Sequence, residues 1–289
     1  MPGAGWLTGS LWGPIIMGLY NSVPSLNGII TFDTWIITSF LPIEITTLLL
    51  IIGGYLVFKP KGLVEVPQSF TEEYNKLGPL SNPEKFSTFI LLTCFCMFLT
   101  SKIHGIPDAA IVLIGLFLLS ATGVIKASDI SPGINWDLVI FIGVSLGLGA
   151  VFNHVGLSEW LGSVLIPILK PLAVNPWLFV FGIVIFLFTW RFLDVAILMP
   201  TMAILVPAIP TISDTFGVSP LIWPTIFVMV GNSFFLSYTN MFALVAESIA
   251  GEKGWKPLQL SRYGLLYFLA CMLSLTITIP YWISIGMFK

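Results

Sequence analysis

The 289 residues are 56% hydrophobic and only 9% charged, with a mean hydropathy of +0.98; a soluble globule carries about 25% charge. The composition reads as an integral membrane protein, with room for roughly six to nine membrane elements at about 20 residues per span. Twelve basic against 14 acidic residues give no reason to expect a nucleic-acid partner, while 26 glycines and 20 prolines rule out a simple bundle of uninterrupted helices.

The first 31 residues are apolar but interrupted every few positions, by Thr8, Gly9, Ser10, Gly13, Pro14 and Pro24 among others. Such backbone is tolerated at membrane depth only against protein or a cavity. The start, Met1 to Gly5, lacks the basic residues and short apolar core of a secretory signal. Thr34 to Phe58 follows as a spanning helix, with Trp35 as an interface anchor and Lys59 and Lys61 at its end.

Residues 59–85 hold four Lys, four Glu and four Pro and read as a surface loop with room for a short interfacial helix. Phe86 to Ser101 and Ile106 to Ile125 are expected as two helices joined by a tight turn at Lys102 to Gly105. A further span runs from Trp136 to about Val155, with Gly143, Gly147 and Gly149 permitting close helix approach. Leu157 to Pro171 mixes apolar residues with Glu159, Trp160 and Lys170, the pattern of an interfacial amphipathic helix.

Trp177 to Trp190 and Leu193 to Ile209 are 14 and 17 residues long, roughly 21 and 25 Å as helices. Both are short of a hydrocarbon core about 30 Å thick. With only Arg191 and Phe192 between them, a re-entrant hairpin over about 177–209 is predicted. Residues 220–250 form an apolar run interrupted at Gly231-Asn232-Ser233 and again at Ser237-Tyr238-Thr239-Asn240, which predicts a discontinuous helix. Tyr263 to Gly286 is the last span. Lysines in 59–85 and Lys253, Lys256 and Arg262 in 251–262 place both loops on the cytoplasmic side.

The hairpin ending in Ala196-Ile197-Leu198-Met199-Pro200, the break at Ser237-Tyr238-Thr239-Asn240 and a final span resemble the C-terminal half of the divalent anion:sodium symporter family. Gly105-Ile106-Pro107-Asp108 and Asn135-Trp136-Asp137 are similar to it as well. The resemblance implies an all-α polytopic membrane protein built from inverted repeats, each with a re-entrant hairpin and a discontinuous helix. Residues 1–58 match the tail of the N-terminal repeat, 59–85 a cytoplasmic loop, and 86–289 the C-terminal transport repeat. The implied activity is secondary active transport of small anions such as dicarboxylates or sulfate, by alternating access, with Na+ or H+ as coupling ion and no other cofactor. The family's Ser-Asn-Thr signature at the hairpin tip is replaced by Trp190-Arg191-Phe192, and Gly13 stands where the first broken helix usually ends in Asn.

Arg191 is the candidate anion ligand, because a guanidinium forks onto a carboxylate or sulfate. Its competing role is a structural pair with Asp194. Ser237, Thr239 and Asn240 join Arg191 and Asp194 in the substrate-binding set. Asn232 and Ser233 offer the oxygen ligands a hard cation takes, and the match of Thr8-Gly9-Ser10 to the family's first broken helix implies a cation role for Thr8 and Ser10. The competing role of Ser237, Thr239 and Asn240 is to cap the broken helix ends, and that of Asn232 and Ser233 is to hydrogen-bond a neighbouring helix. Glu44, ten residues into a span, is a candidate proton carrier, whereas Glu247, His104 and His154 read as residues of interfaces and turns. Cys94, Cys96 and Cys271 are expected in the core.

Partners are expected to be the lipid bilayer, a small anionic substrate, and either a second copy or a separate N-terminal half. A multi-pass protein of the cell membrane is the expected location. The alternative is a truncated or degenerate membrane protein that needs a partner half; no arrangement of side chains suggests an enzyme.

Overall fold

A computed structural model describes residues 2–59, 68–134, 154–194, 198–240 and 255–289, together with isolated positions between 135 and 153 and between 241 and 254. Among these residues the fold is all-α, the one extended pairing being an isolated antiparallel bridge between Val218 and Phe288. The helices in chain order are α1 (Trp12–Asn21), α2 (Phe32–Phe58), α3 (Gln68–Leu77), α4 (Asn82–Leu99), α5 (Asp108–Ala121) and α6 (Ala127–Gly133). They continue as α7 (Leu157–Leu169), α8 (Pro176–Trp190), α9 (Met199–Leu205), α10 (Ile209–Phe216), α11 (Ile222–Gly231) and α12 (Pro257–Ser284). The chain divides into two compact units, Met1–Phe58 with Phe141–Lys289, and Lys59–Ile140.

In the unit Lys59–Ile140, α4 and α5 pack as a helical hairpin. The chain reverses at Gly105, whose φ of +65° is the left-handed conformation that glycine adopts without strain. The His104 ring fixes the turn, with Nε2 against the Met97 carbonyl at 2.9 Å and Nδ1 accepting from Ile106 N at 3.0 Å. At Gly115 a Cβ would come within 2.8 Å of Cys94 Sγ, so the two helices touch where a larger residue would part them. Cys96 departs from expectation. It is exposed, because α4 buries a single narrow face through Ile90 and Phe98 and turns its other residues outward.

In the other unit, α2 and α12 are the two described helices long and apolar enough to cross a membrane, at 27 and 28 residues. The start of α2 is capped by Thr31, whose Oγ1 accepts from Thr34 N at 3.3 Å while its own N–H donates to Thr34 Oγ1 at 2.8 Å. One turn in, residues Ile36–Phe40 widen into a π-helical turn, the kind of irregularity that frees backbone groups. Pro42 has no N–H to offer the Thr38 carbonyl four residues back. Trp282 Nε1 on α12 fills that place at 3.0 Å, joined by Thr225 Oγ1 on α11 at 3.2 Å. Ser274 Oγ donates to the Pro42 carbonyl at 2.7 Å, and Tyr281 OH to that of Ile37 at 2.7 Å. The irregular turn of α2 is thus completed by side chains from helices more than 180 residues away in sequence.

Several expected boundaries move. The second arm of the predicted hairpin begins at Met199 rather than Leu193, after Leu198 in the left-handed region at φ +64°. Pro200 sits at the start of this arm, where its missing N–H costs nothing. A 3-10 turn at Val206–Ala208 then separates α9 from α10. The two interruptions predicted in the 220–250 run form a single break from Asn232 to Asn240, containing only the 3-10 turn Ser237–Thr239. A short helix, α3, lies inside the 59–85 loop. The span predicted for Trp136 to Val155 lies mostly outside the described residues.

Candidate functional site

The break after α11 exposes a problem of backbone chemistry: the last carbonyls of a helix have no partner within it. Here side chains of the break itself and of α12 supply donors. Asn232 Nδ2 donates to the Val228 carbonyl at 2.9 Å, and Tyr267 OH on α12 to that of Met229 at 2.6 Å. Ser261 Oγ reaches the Phe235 carbonyl at 2.8 Å, and Thr239 Oγ1 returns to that of Leu236 at 2.8 Å. Asn240 Oδ1 accepts from Ala243 N at 3.3 Å, the geometry of a cap for resumed helix.

Arg191 is the largest polar contributor and is fully buried at the C-cap of α8. Its Nη1 donates to the Asp194 carbonyl within its own turn. Its Nη2 donates to the Thr239 carbonyl and, at 3.4 Å, to the Ser233 carbonyl. One guanidinium therefore ties the turn after α8 to both ends of the break. The Asp194 carboxylate is itself bonded by Thr201 Oγ1, which in turn accepts from Trp190 Nε1 at 2.9 Å. Among the described residues, two buried polar atoms at this junction have no hydrogen-bond partner, Arg191 Nε and Ser233 Oγ.

Aromatic rings hold the break in place. Phe235 packs on Phe188 of α8 at 6.2 Å between centroids and stacks on Phe192 at 5.4 Å. Phe234 stacks on Tyr263 of α12 at 5.6 Å. Gly264 lets the break lie directly on α12, since a Cβ there would collide with the Phe234 carbonyl. On the other side Trp12 of α1 lies against Gly231, and its Nε1 donates to Asn232 Oδ1 at 3.0 Å.

Beside the break lies a cavity of about 710 Å³, within the roughly 300–1,000 Å³ typical of small-molecule sites. Asn232, Phe234 and Asn240 line it from the break, Leu50 and Phe58 from α2, Trp255 from the residues just before α12, and Gln259, Tyr263 and Tyr267 from the first part of α12.

The structure thus gathers Arg191, Asp194, Asn232, Ser233, Thr239 and Asn240 around one break. Ser237 lies in its 3-10 turn, half-buried. Ser10 is linked at one remove: its Oγ accepts from Trp12 N at 3.3 Å, and Trp12 holds Asn232. Thr8 is exposed and no bond joins it to this group. Among the described residues no cluster of three His, Cys, Asp or Glu side chains is placed to hold a metal ion. The wall of the cavity formed by α12 was missed from sequence. Its signal was the four-residue spacing of Gln259, Tyr263 and Tyr267, which puts three polar tips on one helix face.

Comparison with known proteins supplies the rest. Residues 2–288 match the model of the sodium:sulfate symporter transmembrane region. The chain is 21% identical to the chloroplastic dicarboxylate transporter 1 of Arabidopsis thaliana over 181 residues, 62% of this chain and 32% of the relative. It is 23% identical to an uncharacterized transporter of Haemophilus influenzae, over 91% of this chain and 58% of the relative. A putative malate transporter of Bacillus subtilis is 22% identical, over 55% of this chain and 33% of the relative. The matched part spans from about a third to under two thirds of these relatives' length. With a family match along nearly its whole length, the chain belongs to the sodium:sulfate symporter family, a family of membrane transporters and not of enzymes.

Proposed function

We propose that this protein carries small anions, dicarboxylates or sulfate, across the cell membrane as a multi-pass secondary transporter working by alternating access. The observation that carries the reading is the break between α11 and the chain beyond Asn240, beside a cavity and held by the buried Arg191. Broken helices at membrane depth persist where they line a site, because their freed backbone groups need polar partners. Names of relatives among dicarboxylate and malate transporters agree with an anionic cargo.

In this reading α8 and α9 form a re-entrant hairpin. At 15 residues, α8 is about 22 Å long, too short to cross a core of about 30 Å. Arg191 and Asp194 lie at its tip, and Arg191 Nε is the group left to meet an anion's oxygens. Ser237, Thr239 and Asn240 position the break around that anion. Asn232 and Ser233, with Ser10 behind Trp12, supply the oxygen-rich side on which a coupling cation, Na+ or H+, acts.

The test is a thermal-shift screen of the purified protein with malate, succinate, citrate and sulfate, each in sodium and in choline buffer at two pH values. At least one anion stabilises the protein, and sodium or acid strengthens the effect. An identical melting temperature under every condition refutes the reading.

A further inference from the structure

We propose that Thr201 is a positioning residue of the hairpin: it holds the Asp194 carboxylate away from Arg191 Nε and so keeps that N–H open to an oxygen of a bound anion. This deepens the function proposed above and rests on its reading of Arg191 as the anion's partner. It makes Asp194 the anion's rival and not its ligand.

Three side chains form a run of hydrogen bonds whose direction is fixed from one end. Trp190, the last residue of α8, donates through Nε1 to Thr201 Oγ1 at 2.9 Å. An indole N–H can only donate, and a hydroxyl carries one proton. Having accepted from Trp190, Thr201 directs its own proton to Asp194 Oδ2. The run therefore passes from the end of one hairpin arm, through the start of the other, to the turn between them. Both of its outer supports are braced. The Trp190 ring stacks on Phe186 at 6.1 Å between centroids. Thr201 sits in the first turn of α9, just after the fully buried Leu198 in its left-handed conformation.

What Thr201 prevents follows from where Asp194 lies. The Asp194 carbonyl receives Arg191 Nη1, so carboxylate and guanidinium belong to one turn. A guanidinium and a carboxylate so placed would ordinarily join through a charge-assisted bond, stronger than one between neutral groups. Here the two Nη atoms go to the carbonyls of Asp194, Ser233 and Thr239, and Nε has no hydrogen-bond partner among the described residues. The neutral hydroxyl of Thr201 engages the carboxylate in its stead. The tip residues Trp190-Arg191-Phe192 have no hydroxyl of their own, and that of Thr189 donates to the Ile185 carbonyl at 2.9 Å within α8. Without Thr201 the carboxylate loses a donor, and the unpartnered Nε of the same turn can replace it.

The test is equilibrium binding of malate and of sulfate to the purified protein by calorimetry, for the wild type, Thr201→Ser, Thr201→Val and the double variant Thr201→Val with Asp194→Asn. At least one of the two anions binds the wild type, and that anion is followed in the variants. Thr201→Ser keeps the hydroxyl and binds within about twofold of wild type. Thr201→Val keeps the branched shape, releases the carboxylate and weakens binding about five- to tenfold, the scale of one hydrogen bond to a charged group. Adding Asp194→Asn removes the rival charge and returns the affinity to within about twofold of wild type, a rescue that simple loss of hairpin structure does not allow. Should Thr201→Val fail to fold, Thr201→Ala takes its place in both comparisons. A fall of less than about threefold in Thr201→Val, or a double variant that binds no more tightly than Thr201→Val, overturns the positioning role and leaves the carrier reading standing. A wild-type protein that binds neither anion overturns both.

Discussion

Arg191 and Thr239 are 48 residues apart in sequence, and the guanidinium of the first donates to the backbone carbonyl of the second. The same side chain serves Asp194 and Ser233, so three carbonyls depend on one fully buried charge.

Removing that charge leaves all three acceptors without this donor. Arg191→Ala is expected to destabilise the protein by about 3 kcal/mol or more, given about 1–3 kcal/mol for each buried group left unsatisfied. Arg191→Lys falls between, because an ammonium lacks the planar fork that spans two carbonyls. Thermal unfolding in detergent measures both, and an Arg191→Ala protein melting with the wild type would show the tie to be dispensable.

The π-helical turn of α2 makes a second prediction. Trp282→Phe removes the bond to the Thr38 carbonyl, and Ser274→Ala the bond to that of Pro42. Each is expected to cost about 1 kcal/mol, and the double variant about 2 kcal/mol, because the two bonds have different acceptors. Chemical denaturation of the three variants checks the sum.

Two glycines are expected to respond oppositely to alanine. At Gly264 a Cβ would strike the Phe234 carbonyl and come within 3.0 Å of Phe235 Cα, all backbone. Gly264→Ala therefore pushes the break off α12 and costs about 1–3 kcal/mol. At Gly54 a Cβ would meet only Tyr263 Cε2 at 3.7 Å, and Gly54→Ala is expected to stabilise α2 by up to about 1 kcal/mol. Melting temperatures moving the same way in both would contradict the contact geometry.

The N-terminus of α4 is expected to be acid-sensitive. The Glu84 carboxylate accepts from Ser81 Oγ at 2.7 Å and from Ser81 N at 2.6 Å, and these bonds hold its pKa below the ordinary 4.5. A carboxyl with a lowered folded pKa stabilises above its unfolded value, and that contribution is lost as pH falls through the folded one. The protection of the amides over residues 82–86, taken relative to their intrinsic exchange rates, should fall as the pH drops below about 4.5, and Glu84→Gln should abolish the dependence.

Much of this was legible in the sequence, for physical reasons particular to each element. Glycine, proline and polar residues inside apolar runs are rare enough that Gly231 to Asn240 announced a broken helix, and Arg191 announced a buried cation. What the sequence left open was the partner of each. Arg191 was expected to meet an anion or Asp194; its terminal nitrogens go to backbone carbonyls, that of Asp194 among them, and no sequence pattern distinguishes a backbone acceptor. The pairing of Trp282 with Thr38 depends on a missing proline N–H and on two helices meeting across 244 residues. The α12 wall was hidden because Trp255, Gln259 and Tyr263 look like the ordinary interfacial start of a span.

The central claim is that the protein moves small anions, dicarboxylates or sulfate, across the membrane. Its most direct measurement is uptake of labelled malate into liposomes containing the purified protein, with unlabelled malate or sulfate as competitor. Uptake above that of empty liposomes, saturable and inhibited by the unlabelled anions, is the predicted result. Uptake no greater than in empty liposomes, with anion gradients and sodium or proton gradients applied in turn, would contradict it.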